Sequence, residues 1–220
     1  MLSVILPVKN EPNLGPFLST VHEVLADIPD SYEIIIVQGD RETKNYPYPQ
    51  FPHQRTVWTY GDSLERSILG GFSHASEDKI IVMDADGSHP PSNLPQMWQL
   101  LNEYEMVVGS RFIKGSNFES GAFRRFITWL TKIAAREAGS KLSDPMSGFF
   151  GIRKEVLKRV KFRPLAWKIA LEIELRAEPS IKEIPISFVE RTMGKSKTNL
   201  KIGLRLLWQL QTEGWRRLLS

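Results

Sequence analysis

Short runs that are apolar on both faces recur through the first half of the chain, and a helical stripe separates most of them. Residues 2–6, 33–37, 55–60, 79–83 and 106–109 read as strands. Between them, Leu14, Phe17, Leu18, Val21, Val24 and Leu25 recur at helical spacing, residues 63–74 suit a second helix, and Ser92 is placed to cap a third running to about residue 101. Strands without polar alternation need cover on both faces, and one helix per crossover supplies it. The pattern predicts an α/β fold: a mainly parallel, doubly wound sheet flanked by helices. Ligands of such sheets collect beyond the carboxyl ends of the strands. Residues 7–11, 38–40 and 84–88 each follow a strand, so they are expected to line one crevice.

The second half is less regular. It reads as a helix over residues 123–138, a loop over 143–147, a strand over 149–152, a helix near 166–177 and a last strand over 181–189. The 220 residues suffice for one α/β domain with a full core, and 41% hydrophobic with 25% charged residues is ordinary globular usage. There is no cysteine, which excludes disulfides, thiolate metal sites and cysteine nucleophiles. No stretch approaches the roughly 20 apolar residues of a membrane span, and the opening apolar run lacks the basic leader of a secretion signal. The net charge is +4. Phosphates, anionic lipid or nucleic acid would all suit that excess, but no nucleic-acid recognition motif accompanies it.

The chemistry centres on Asp84-Ala85-Asp86, which closes the apolar run 79–83 and leads directly into Ser88-His89-Pro90-Pro91. Two carboxylates and a serine hydroxyl at a sheet rim are hard oxygen donors suited to Mg²⁺ or Mn²⁺, which complete their shells with water and substrate phosphates. The same acids would also serve to cap a helix or solvate a turn.

Five motifs in one order carry a resemblance. They are P-V-K-N-E at residues 7–11, D-A-D-G-S-H-P-P at 84–91, V-G-S-R-F at 108–112, D-P-M-S-G-F-F at 144–150 and F-V-E-R-T-M-G-K-S-K at 188–197. The chain resembles the family 2 glycosyltransferases, in their polyprenyl-phosphate (dolichyl-phosphate mannose synthase) branch. That resemblance implies a GT-A domain over residues 1–198 that transfers a hexose from a nucleotide sugar, GDP-mannose or a UDP-hexose such as UDP-glucose, to dolichyl or polyprenyl phosphate with the help of a divalent metal.

Carried onto this sequence, the resemblance puts Pro7, Lys9, Glu11, Val37, Asp40, Asp84, Ala85, Asp86, Arg191 and Lys197 around the nucleotide sugar. It gives the metal to Asp84, Asp86 and Ser88, the acceptor phosphate to Arg111, Arg124, Arg125 and Ser147, and the catalytic roles to Asp86, Arg111 and Arg191. Planar guanidinium forks suit phosphate oxygens. Two departures stand out: Ser88 falls where relatives more often have glutamine, and Gln38-Gly39-Asp40 replaces their usual paired aspartates. Lys197 would add a mobile charge over the nucleotide phosphates, and residues 193–196 a loop closing over the donor. Asp144 has two readings, a base for a sugar-hydroxyl acceptor or a turn and acceptor-positioning residue, of which the second is favoured. His89 is a candidate ligand beside the metal turn; His22, His53 and His74 read as ordinary helix or loop residues.

Residues 199–220 are expected to form an amphipathic helix. Leu200, Leu204, Leu207, Leu210, Trp215 and Leu218 recur every three or four positions, with Lys201, Arg205, Arg216 and Arg217 interspersed. Such a helix would lie on an anionic bilayer or pack on its own domain. Phe123, Phe126, Ile127, Trp129, Leu130 and Ile133 offer a second apolar surface for a lipid tail. The expected location is peripheral, at the cytoplasmic face of a membrane, with anchoring by this helix or by a membrane subunit. The rival readings are a family 2 transferase with a hydroxyl or other small acceptor, and a non-catalytic nucleotide-sugar-binding module.

Overall fold

In the first strand, β1 (Leu2–Val8), alternate side chains enter two different cores. Leu2, Val4, Leu6 and Val8 pack with Leu14, Leu18, Val21 and Leu25 of α1 (Leu14–Ala26) and with Leu94 and Met97 of α3 (Leu94–Leu100). Ile5 points the other way, toward Ile68 and Phe72 of α2 (Leu64–His74) and Ile169 and Ile173 of α6 (Ile169–Ala177). Burial on both faces is what the unbroken apolar runs require, and each fully buried Leu or Ile contributes about 1.5–3 kcal/mol. The computed structural model describes residues 1–39, 48–60, 63–118, 122–162 and 168–188, with backbone alone at 118, 122–127 and 188.

A seven-stranded sheet runs in the order β3-β2-β1-β4-β7-β5-β8. Here β2 is Tyr32–Gly39, β3 Gln54–Thr59, β4 Lys79–Val82, β5 Met106–Ser110, β7 Phe150–Arg153 and β8 Ile181–Pro185. All pairings are parallel except those of β7, which runs antiparallel between β4 and β5. The carboxyl ends of the parallel strands therefore share one rim with the start of β7. That reversal delivers the loop 143–149 to the rim that carries residues 84–88. The remaining elements are β6 (Asn117–Phe118), α4 (Ala122–Glu137), the four-residue α5 (Lys154–Leu157) and β9 (Ser187–Phe188).

Four expectations need correction. β1 extends through Val8 and β2 through Gly39, so Pro7 and Gln38 are ladder residues, Pro7 paired with Val37 and Gln38 with Val8. Ser92 caps nothing: it lies inside a 3₁₀ turn, Pro91–Asn93, and α3 starts after Asn93 with no side-chain cap. Prolines at both starts preset φ where a cap was expected. The strand expected over 181–189 breaks at Ile186: its N–H still donates to the Ser110 carbonyl of β5 at 3.1 Å, but its own carbonyl accepts from Asn117 N–H of β6 at 3.3 Å. Beyond the break, β9 pairs with β6 in a separate two-stranded sheet. The expected helix at 199–220 lies outside the described residues.

Candidate active site

At the end of β4 the chain is held in the sheet for one more residue, with Met83 N–H on the Ile5 carbonyl at 3.1 Å, and then turns. The turn is self-bonded: Ser88 N–H donates to Asp86 Oδ1 at 3.0 Å, and Gly87 takes φ +78°, a region glycine enters at no steric cost. Asp84 N–H donates to Nδ1 of His89 at 2.9 Å. An accepting Nδ1 puts the proton of the neutral ring on Nε2, which lies 4.0 Å from Asp84 Oδ2. Burial holds the His89 pKa below its ordinary value, with Arg111 and Lys168 acting in the same direction against the pull of Asp84 and Asp86. The ring stacks on Phe149 at 5.1 Å. Its geometry is that of a brace for the Asp84 main chain.

Ala85 is buried in the α1-side core, Ser88 is 2% exposed, and 28% of the Asp84 side chain remains open. Two carboxylates and a hydroxyl on one turn fit a hard divalent cation that takes its other oxygens from water and phosphate. Among the described residues no three His, Cys, Asp or Glu side chains cluster as a complete protein-borne metal site.

Across the rim, β5 ends in Gly109-Ser110, and Arg111 follows directly. Asp144, wholly buried, receives Arg111 Nε at 2.7 Å, Nη2 at 2.8 Å and main-chain N–H at 3.2 Å. The loop that carries Asp144 is fastened at several points. Glu183 accepts the N–H groups of Ser143 and Asp144, Ser147 Oγ donates to the Gly109 carbonyl at 2.6 Å, and Lys168 Nζ donates to the Met146 carbonyl at 3.0 Å. Gly148 lies against the aspartate turn: a Cβ built there would stand 3.5 Å from His89 Cε1 and 3.7 Å from Asp84 Oδ2. The loop that holds the arginine fork therefore also lies against the acidic turn.

Of the nucleotide-side candidates, Pro7 lies in β1, Lys9 and Glu11 in the turn after it, and Val37 is buried in the α2-side core. Asn10, with φ 56°, turns the chain between Lys9 and Glu11. Asp40, Arg191 and Lys197 lie outside the described residues, as does the loop 193–196. Arg124 and Arg125 fall on the first turn of α4, their side chains outside the described set. Ser147 is buried with its hydroxyl proton on Gly109, so its visible role is to tie the loop to β5. The sequence reading missed Lys168 and Glu183. Both lie outside the five motifs, and their only signal is a charge flanking an apolar run.

Residues 3–161 match the glycosyl transferase family 2. The dolichol-phosphate mannosyltransferase of Pyrococcus furiosus is 34% identical over 208 residues, covering 89% of this chain and 58% of that protein. The chain thus spans little more than half of that relative. The protein of the same name from Saccharomyces cerevisiae is 29% identical over 228 residues, covering 95% and 85%. The undecaprenyl-phosphate mannosyltransferase of Micrococcus luteus is 30% identical over 214 residues, covering 88% and 85%. Among solved structures, glucosyl-3-phosphoglycerate synthase from Mycobacterium tuberculosis, in complex with Mn²⁺, UDP-glucose and phosphoglyceric acid, superposes with a TM-score of 0.65 over 97% of this chain and 79% of that one. At 16% identity that likeness speaks for the fold alone, which is of the GT-A type. With more than half of its length matched, the aspartate turn and the arginine strand end included, the chain belongs to glycosyl transferase family 2.

Proposed function

We propose that the chain transfers a hexose from a nucleotide diphosphate sugar to a polyprenyl phosphate, with inversion at the anomeric carbon and a divalent cation. One observation carries the reading: the open carboxylate of Asp84 and the Asp144-locked guanidinium of Arg111 flank the same loop, with Gly148 between them. A cation site on the turn would then lie beside a phosphate site at Arg111, the two joined by the loop 144–148. Asp84, Asp86 and Ser88 would hold Mg²⁺ or Mn²⁺, which offsets negative charge on the departing diphosphate. Arg111, with Arg191 and one of Arg124 or Arg125, would align the acceptor phosphate for in-line attack. Because the second pKa of a phosphate monoester is about 6, the nucleophile is already mostly anionic and requires no strong base.

The buried fork also weighs against the hydroxyl-acceptor reading. Asp144, the base in that reading, has both oxygens on Arg111 and no exposed surface. The relatives' names favour mannose as the sugar and dolichyl or undecaprenyl phosphate as the acceptor. Such an acceptor requires a membrane surface, reached from the cytoplasmic side through residues 199–220 or a membrane subunit. No helix among the described residues is long and apolar enough to cross a membrane.

The test is a panel of radiolabelled GDP-mannose, UDP-glucose and other UDP-hexoses with short polyprenyl phosphates, run with Mg²⁺, Mn²⁺ or EDTA. A β-linked phosphosugar lipid from an α-linked donor, abolished by EDTA and by Asp86→Asn, is the expected result. Transfer to a free sugar but not to the lipid phosphate, or donor binding without any transfer, would overturn the proposal.

A further inference from the structure

Lys168 stands where local physics disfavours a cation. It occupies the N-cap position of α6, at the positive end of the helix dipole. Its ammonium is partly stripped of water and lies near Arg111, and both effects hold its pKa below the ordinary lysine value. Asp84, Asp144 and Glu65 act in the opposite direction, so carboxylates of the aspartate turn, the arginine fork and α2 all face it. A charge placed against local preference, with carboxylates of the aspartate turn and the arginine fork near it, points to the site.

A hydrogen bond of its ammonium shows how it acts. Nζ donates to the Met146 carbonyl at 3.0 Å, midway between the two other attachments of the loop. Upstream, Glu183 holds the main chain of Ser143 and Asp144; downstream, Ser147 is tied to Gly109. Met146 therefore links the residue that orients Arg111 to Gly148, which abuts Asp84. We propose that Lys168 is a positioning residue for a phosphate monoester: by pinning Met146 it sets the height of the Arg111 guanidinium relative to Asp84, and its charge deepens the anion site. The inference rests on the proposed function for the identity of that monoester.

Farnesyl phosphate is a suitable probe, since calorimetric titration of it into the full chain requires no turnover. Lys168→Met is expected to weaken its binding about tenfold, the scale of one charged hydrogen bond. Binding of GDP or UDP with Mn²⁺ should change less than about twofold. In the transfer assay the acceptor KM should rise more than kcat falls. Lys168→Arg, which keeps the charge, should recover most of the affinity, whereas Lys168→Gln should not. If Lys168→Met fails to fold, the Arg and Gln variants carry the same comparison. A fall in Tm with unchanged farnesyl phosphate affinity in every folded variant would reduce Lys168 to a structural residue and overturn the inference. A wild-type chain that binds farnesyl phosphate but transfers nothing would sink the proposed reaction while leaving the Lys168 comparison decisive; one that does not bind it overturns both.

Discussion

Arg111 and Asp144 meet as two forks, Nε to Oδ2 at 2.7 Å and Nη2 to Oδ1 at 2.8 Å, with the carboxylate fully buried and only 15% of the arginine side chain exposed. A pair this deep is costly to break from one side, because the surviving charge stays in a poor solvent. Asp144→Asn should destabilise the fold by about 3–5 kcal/mol in urea unfolding. Replacing both members by apolar residues should cost clearly less than the sum of the single changes. Transfer should fall in each variant because Arg111 is displaced. An Asp144→Asn protein of wild-type stability with no activity would instead restore the base reading.

His89 braces the Asp84 N–H from within a buried stack on Phe149. Phenylalanine keeps the stack and removes the acceptor. His89→Phe should lose about 1–3 kcal/mol of stability, the cost of a buried N–H without a partner. With the turn loosened, the Mn²⁺ concentration for half-maximal transfer should rise; an unchanged metal titration would show that the turn holds without this brace.

Gly109 admits no side chain. A Cβ there would approach Phe149 Cδ1 to 2.9 Å and Ile186 Cγ2 to 3.0 Å, and both neighbours are buried. Gly109→Ala should therefore cost about 1–3 kcal/mol and push Phe149 toward His89. Gly148→Ala meets only ordinary contacts, at 3.5 Å and beyond, and should fold with a Tm close to wild type. Thermal melts of the two variants side by side check the contrast.

Glu33 gives the fold a dependence on pH away from the crevice. Burial pushes its carboxyl up, but the hydroxyls of Ser3 and Ser76, the Ser76 N–H and Arg55 outweigh burial, and the pKa lies below its ordinary value. A depressed folded-state pKa adds stability that is complete above the unfolded-state value and is lost as pH falls through the folded one. Glu33→Gln should thus be less stable than wild type by about 1–3 kcal/mol at pH 7, and the gap should close in strong acid. Urea melts at pH 7 and below pH 3 measure it.

How much of this was legible in advance follows from the range of each interaction. The strands of the first half, the helices between them and the gathering of residues 84–88 at a rim follow from burial patterns within single elements, and those patterns are written in neighbouring residues. The motifs likewise pointed to the aspartate turn and to Arg111. The direction of β7 was not readable, because a buried strand has the same composition whether it runs parallel or antiparallel. Only the packed sheet turns it around and so brings Gly148 to Asp84, and Asp144 and Ser147 to the end of β5. The Arg111–Asp144 fork spans 33 residues and the Lys168–Met146 bond 22. No periodicity encodes such distances, so the partners of Asp144 and Lys168 came only with the tertiary structure, which decides which charges share a low-dielectric interior.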